Sequence, residues 1–410
     1  MALNQALSGI NAAQADLNVI SNNIANAGTT GFKGSTAEFS DVFAVTGVNL
    51  AANAIGSGAR LSDVAQQFTQ GDIQQTGVPL NLAISGNGFF MVNNGSGPAY
   101  TRNGAFQQTP TGEVITSDGT NAALQIFPPN GLGGFNTSTT IGLTVNSAQA
   151  NAQPTSNIAI TANLNSTSAI IPATTPFDPA DPTSFNNASP VTVFDSQGGS
   201  HQANVFYVKT ANNTWNANLV IDGQSAGTAQ LTFAANGTLA TPADGNLTFT
   251  PVQPTNGATF PTTMTVNLAN TTQFGNAFAT GAVSQNGFQA GSLQNLSIDN
   301  EGIVTANYSN GQTAQLGQVV MANFANDQGL TQIGNTQWVA SNTSGQAIVG
   351  AANSGQFGSI TSGALEASNT SDTTGQLVDM IQAQRNYQAN AQVLTTDNTL
   401  SQTLFQAISR

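Results

Sequence analysis

The chain has 410 residues, enough for two or three domains with cores of their own. Hydrophobic residues make up 39% of it but charged residues only 6%, where ordinary soluble domains carry about a quarter. With two lysines, four arginines and a formal charge of −13, no basic patch is available for a phosphate backbone or an anionic membrane surface, and the lack of cysteine excludes disulfides and thiolate metal sites. Asn, Thr, Ser, Gln and Gly fill the gap, so the surfaces are neutral and polar. Little like-charge repulsion suits a protein that packs against copies of itself. It suits equally a glycine-rich secreted β-protein that stays monomeric.

From Leu3 to about Ala25 there is no Pro, and the only Gly is Gly9. Apolar residues at Leu3, Leu7, Ile10, Leu17 and Ile24, with Gln14 and Ser21 between them, alternate by three and four: a helical heptad seam that needs a helical partner. A second row at Ala6, Ala13, Ile20 and Ala27 widens the stripe beyond what one partner covers. No cation precedes Lys33, and polar residues interrupt the apolar ones, so no cleaved secretory signal is expected here. No apolar run reaches the roughly 18 residues of a membrane span. The expected location is the cytoplasm, or outside by a route that leaves the N-terminus uncleaved.

Between the ends the sequence is β-like. Leu80, Leu82 and Ile84 alternate as a half-buried strand, with Phe89–Val92 expected beside it across a Gly86-Asn87-Gly88 turn. Further strands are expected at Glu113–Thr116, Leu124–Phe127, Leu296–Ile298, Ile303–Tyr308 and Val319–Phe324, with Asp299–Gly302 as the turn between the fourth and its predecessor. Residues 150–284 hold most of the prolines and read as a separate module, a sandwich or barrel. Within it, Val191–Asp195 and Ala203–Lys209 flank Ser196–Gly199 as a hairpin, and Trp215–Ile221, Leu231–Phe233 and Met264–Leu268 continue the pattern.

The C-terminal end mirrors the first. Leu377, Met380, Gln384, Tyr387, Ala391, Leu394, Asn398, Ser401, Phe405 and Ile408 alternate by three and four, with a second set at Val378, Ile381, Val393, Leu400 and Leu404. The residues expected to carry self-assembly are therefore Leu3, Leu7, Ile10, Leu17, Ile24, Leu377, Met380, Tyr387, Ala391, Leu394, Phe405 and Ile408. Few large apolar side chains stand against the backbone entropy of such long helices. Both ends are expected to be mobile in the monomer and helical once neighbours complete their packing; a helical hairpin stable in one chain is the alternative.

The fold class is α+β multidomain. Residues 1–27 and 370–410 form a terminal helical coiled-coil domain, and 28–75 and 358–369 are linker segments. Residues 76–149 and 285–357 form a split β-domain into which the second β-domain, 150–284, is inserted. No catalytic constellation is legible. His201, the only histidine, follows a hairpin turn and reads as solvated; Asp178 and Asp181 sit in a proline-rich loop; Asp299 and Glu301 lack the rest of a calcium loop; Gly86-Asn87-Gly88 is no phosphate fingerprint. No cofactor, no metal and no enzymatic activity are expected.

Three passages resemble the flagellar axial proteins, the family of rod, hook and filament-junction subunits. They are SNNIANAGTTGFK (Ser21–Lys33); GDIQQTGVPLNLAISGNGFFMV (Gly71–Val92) with YTRNGAF (Tyr100–Phe106); and LVDMIQAQRNYQANAQVLTTDNTL (Leu377–Leu400) preceded by SGALEASN (Ser362–Asn369). In the first, Asn and Gly end the helix, and Gly31 and Gly34 let the chain turn sharply. The inserted module, together with GFQAGSLQNLSIDNEGIVTANYSNGQ (Gly287–Gln312), LGQVVMANFANDQGL (Leu316–Leu330) and VTVFDSQGGSHQANVFYVK (Val191–Lys209), looks most like the hook branch. Asn81 departs from the Asp usual in the family, which puts one local polar contact in doubt.

The resemblance implies a subunit of a flexible helical tube, a universal joint passing torque from rod to filament. Terminal helices would line the inner tube, the split β-domain the middle shell, and the inserted module the outside. Implied partners are further copies of the chain, the distal rod protein, the hook cap protein, the hook–filament junction protein and the flagellar type III export apparatus, with no nucleic acid and no membrane. The implied location is the extracellular hook of a bacterial flagellum. The rival readings are a distal rod subunit, a secreted β-rich adhesin or surface-layer protein, and a polysaccharide hydrolase.

Overall fold

A computed structural model of the chain describes residues 2–42, 56–131, 133–145 and 150–408. Two compact units are present: Met1–Asn146 with Asn295–Ala306 and Thr313–Arg410, and Ser147–Gln294 with Asn307–Gln312.

The first unit is bounded by two helices, α1 (Ala2–Ala25) and α2 (Thr373–Ile408). Asp372 caps α2, its Oδ1 accepting the amides of Thr374 and Gly375 at 3.1 and 3.3 Å. An antiparallel hairpin, Ser35–Asp41 with Ala59–Gln66, packs on α1. The centre of the β-structure is a sheet in which Thr313–Asn323 pairs with Ala123–Phe127 and Phe89–Asn93, followed by Pro98–Thr101, Gln337–Val339 and Thr331–Gly334. Its aromatic residues pack edge to face: Tyr100 on Phe324 (centroids 4.8 Å apart), and Phe89 and Trp338 on each other and on Phe68. Strands at Ile303–Tyr308 and Leu293–Ile298 are joined by the expected turn, with the Gly302 amide donating to the Asp299 carbonyl at 3.0 Å.

The Leu80–Val92 expectation needs correction. Leu80 lies in a turn, and the strand is Leu82–Ser85, with Leu82, Ala83 and Ile84 all buried rather than alternating. It pairs with Ser359–Ser362, not with Phe89–Asn93. Gly86 and Gly88 have φ of 109° and 116°, the Gly86 amide donates to Gln70 Oε1 and its carbonyl accepts from Arg102. Those tethers carry the chain from one sheet to another, where a two-residue reversal would have folded it back.

The second unit is a sandwich of two five-stranded sheets. In one, Asn157–Asn165 pairs with Met264–Asn267 and Thr272–Phe274 in parallel and with Ala279–Gln285 antiparallel, while Asn246–Phe249 pairs with Met264–Asn267. The other is an antiparallel meander of Asn187–Phe194, Ser200–Ala211, Thr214–Ile221, Gln224–Phe233 and Leu239–Thr241, whose first pair is the expected hairpin. Ile158, Ile160, Leu164 and Val266 from the first sheet share one core with Val205, Tyr207, Trp215 and Leu219 from the second. His201 is not a solvated turn residue, as its side chain is 13% exposed and bonded to Asp195 and Asp222. The strands flanking its turn pair fully up to Phe194 and Ser200, which draws the ring into the end of the sandwich.

Candidate assembly surface and its joint

α1 and α2 lie antiparallel. Gly9 abuts the Asn390 side chain and Asn23 bonds Gln376, and each pair of positions is fourteen residues apart on its own helix. This register sets Ala2 level with residue 397 and leaves 398–408 of α2 with no described α1 residue opposite.

The apolar rows are used unequally. Of the second row, Ala6, Ala13 and Ile20 are buried, together with Ala383 of α2, while Ala27, in the turn past the end of α1, is half-buried. The expected assembly residues are not. Leu3, Leu7, Leu377, Tyr387 and Phe405 are exposed, Phe405 at 75%. Ile10, Leu17, Ile24, Met380, Ala391 and Leu394 are half-buried, and the Ile408 side chain lies outside the described residues. The rest of the α2 surface adds Val378, Ile381, Val393, Leu400 and Leu404, all exposed. The intrachain contact therefore consumes Ala6, Ala13 and Ile20 and leaves Leu3, Leu7, Leu377, Tyr387 and Phe405 exposed, an apolar surface of a kind that marks interaction sites.

Across the pair, Asp16 faces Asp379. Burial and then the Asp379 charge raise the Asp16 carboxyl above the ordinary 3.8, so this contact is strained at neutral pH.

The helix pair is tied to the β-structure by a joint that the sequence patterns did not reveal. Asn23 Nδ2 donates to the Ser35 carbonyl at 2.8 Å while its Oδ1 accepts the Ser35 amide at 2.9 Å, so a side-chain amide completes the strand edge. The Asn23 carbonyl accepts Thr370 Oγ1–H, and Asn369 Oδ1 accepts the Gly34 amide at 2.7 Å. Gly31 has φ +67°, and a Cβ there would sit 2.5 Å from the Asn103 amide. A Cβ on Gly34 would strike Thr370.

At the centre of the joint is a buried ion trio. Lys33 Nζ is 2.6 Å from Glu366 Oε1, and Arg102 Nη1 is 3.2 Å from Glu366 Oε2. Lys33 also donates to the Thr69 carbonyl, the Gly71 amide donates to Glu366 Oε1, and Arg102 Nη2 reaches the Gly86 carbonyl. Burial lowers the Lys33 ammonium below its ordinary 10.5 against the pull of Glu366, and the nearby Arg102 charge adds to the lowering. Each residue comes from a different passage of the resemblance: Lys33 closes the first, Arg102 lies in the second, Glu366 opens the third. The signal was the scarcity of charge itself, since a chain with six cations has buried two of them here.

Asn81, the noted departure, donates to Thr76 Oγ1 at 2.9 Å, a bond the usual carboxylate would make only as an acceptor. Asp299 Oδ1 is occupied by the amides of Glu301 and Ile303, and Asp178 and Asp181 make local turns. Among the described residues no three His, Cys, Asp or Glu converge on a metal-sized site.

Comparison with known proteins agrees on one family. Residues 3–33 match the profile described as flagella basal body rod protein, and 83–168 the flagellar hook protein FlgE/F/G D1 domain. Residues 163–288 match the flagellar basal body protein FlaE D2 domain, and 361–407 the C-terminal domain of the flagellar basal body rod FlgEFG proteins. The chain is 39% identical over 414 residues to the flagellar hook protein FlgE of Salmonella typhimurium, covering 98% of this chain and 99% of that one. The chain belongs to the flagellar hook protein family. The hook proteins of Escherichia coli (39% identity; 98% and 99% covered) and Borreliella burgdorferi (31%; 98% of each) are similar along their whole lengths. The crystal structure of a Helicobacter pylori hook protein FlgE2, at 12% identity and a TM-score of 0.50 over 70% of this chain and 98% of that one, shares the fold. This hook-family chain is thus a structural, polymerising and non-enzymatic subunit of the flagellar hook.

Proposed function

We propose that the subunit polymerises through its terminal helices into a flexible tube, a universal joint that passes torque from rod to filament. The observation that carries this reading is the unused apolar row: Leu3, Leu7, Leu377, Val393, Leu400 and Phe405 stay exposed although α1 and α2 already pack together. Copies of the chain supply the missing partners, and the helices become the inner wall, with the split β-domain around them and residues 150–284 outermost. Its neighbours in the assembly are the distal rod, hook cap and junction proteins, and it is exported by the flagellar type III apparatus.

Bending requires outer contacts to slide while inner helices stay packed. The second unit supports that division of labour. Its charged residues are Asp178, Asp181, Asp195, Asp222, Asp244 and Lys209, with His201, and Lys209 is buried. Copies of this unit have no exposed Lys or Arg with which to lock onto one another, so sliding breaks no desolvated ion pair.

Negative-stain electron microscopy after salting out tests the reading, comparing the full chain with one ending at Asn369. Curved tubes from the full chain alone are expected. Tubes from both would remove α2 from the assembly mechanism, and straight tubes would favour a rod subunit.

A further inference from the structure

Three turns meet at one end of the second unit, and the single histidine joins two of them. His201 Nδ1 lies 2.5 Å from Asp222 Oδ2 in the turn after Thr214–Ile221, and Nε2 lies 3.0 Å from Asp195 Oδ2 before the Ser196–Gly199 turn. Phe260, from the third loop, stacks edge-on against the ring at 5.0 Å, and the Ser196 amide donates to the Thr259 carbonyl at 2.9 Å. An imidazole donates from both nitrogens only as the imidazolium. A neutral ring must leave one carboxylate facing a lone pair.

The carboxylates are built into their turns. Asp195 is fully buried, and its Oδ1 accepts the Gln197 and Gly199 amides at 2.8 Å each. Asp222 Oδ1 accepts the Gln202 amide at 3.0 Å. The charged groups facing the ring are these two; the third loop offers Phe260 and Asn256, neither of which titrates.

We propose that His201 is a pH-sensitive clasp that holds the Asp195 and Asp222 turns together when protonated and releases one of them on deprotonation. Burial pulls the imidazole down, but its bonds to Asp195 and Asp222 and their charges carry it above the ordinary 6.5. Burial likewise pushes Asp195 up, while His201 and the two turn amides hold it below 3.8. A base raised on folding contributes stability fully below 6.5 and loses it as pH rises through the folded value. An acid lowered on folding contributes above 3.8 and loses it as pH falls through its own folded value. The clasp is therefore closed below 6.5 and opens as pH rises through the raised folded value.

As the only histidine, His201 can be titrated in the full chain by proton NMR of its ring C–H signals without assignment. Hydrogen exchange of peptides spanning 195–202 and 222–226, corrected for intrinsic rate, reads the turns on either side of the midpoint. The expected result is a midpoint above 6.5 and turn exchange on the order of tenfold faster beyond it, the loss of one charge-assisted hydrogen bond. H201Q should show the fast exchange at every pH. D222N, at a side chain 51% exposed and tolerant of change, should lower the midpoint even if H201Q fails to fold. A midpoint at or below 6.5, turns whose exchange ignores the titration, or a midpoint unmoved by D222N each overturns the clasp.

Discussion

Lys33 Nζ stands 2.6 Å from Glu366 Oε1, and neither side chain is exposed at all, although 333 residues separate them in sequence. This contact, extended by Arg102, pins the end of the N-terminal helix motif to the segment that leads into α2. It ties the segment that follows α1 to the segment that precedes α2 within one chain.

Glu366→Leu should cost about 3–5 kcal/mol in urea unfolding, because it strands two buried cations. The triple change Lys33→Met, Arg102→Met, Glu366→Leu should recover most of that loss, since no uncompensated charge remains. Equal instability of the single and triple variants would mean the trio acts through shape rather than charge.

The Asp16–Asp379 contact gives a second expectation. A carboxyl raised on folding carries no penalty below 3.8 and an increasing one as pH climbs through its raised folded value. Asp16→Asn should tighten the helix pair at neutral pH by about 0.5 kcal/mol or less, as for exposed like-charge pairs, and remove its acid preference. Circular dichroism melts at acid and neutral pH check this; an unchanged acid preference in the variant would place its origin elsewhere.

Much of this architecture was legible beforehand, and the failures have a common cause. Three-and-four spacing found both helices, and alternation found the Val191–Lys209 hairpin and the Ile303–Tyr308 strand, because each depends on near neighbours in sequence. The pairing of Leu82–Ser85 with Ser359–Ser362 joins positions far apart, and nothing local announces it. The same holds for Lys33 with Glu366. His201 was misread because a turn position says nothing about the second turn folded over it. On α1 the periodicity found both rows but could not decide that the small residues Ala6 and Ala13 would face within the chain while Leu3 and Leu7 faced out.

Tyr207 offers a test of core polarity in the second unit. Its hydroxyl is buried and makes no full hydrogen bond, although Ser189 approaches it, and burial pushes the phenol up to about 12. Tyr207→Phe should leave stability unchanged or raise it by about 1 kcal/mol, the penalty of an unsatisfied hydroxyl. A loss above about 1 kcal/mol would reveal a bond that the folded chain makes through that oxygen.

The order of the ends in the free monomer is a separate matter. Among the described side chains of α1, the apolar ones buried are Ala6, Ala13 and Ile20, a small return on the backbone entropy of a 24-residue helix. Amides of α1 and α2 should therefore exchange rapidly in dilute monomer and slowly in the polymer. Strong protection in the monomer would identify a hairpin that is stable alone.

The central claim is that exposed apolar side chains of the terminal helices, not the β-units, drive assembly. Sedimentation of the full chain against a Leu400→Ser, Leu404→Ser, Phe405→Ser variant tests it most directly, with near-ultraviolet circular dichroism confirming that both carry the same β-structure. The account predicts a wild-type pellet of tubes and a folded variant that stays in the supernatant at the same concentration; equal pelleting of the two as tubes would contradict it.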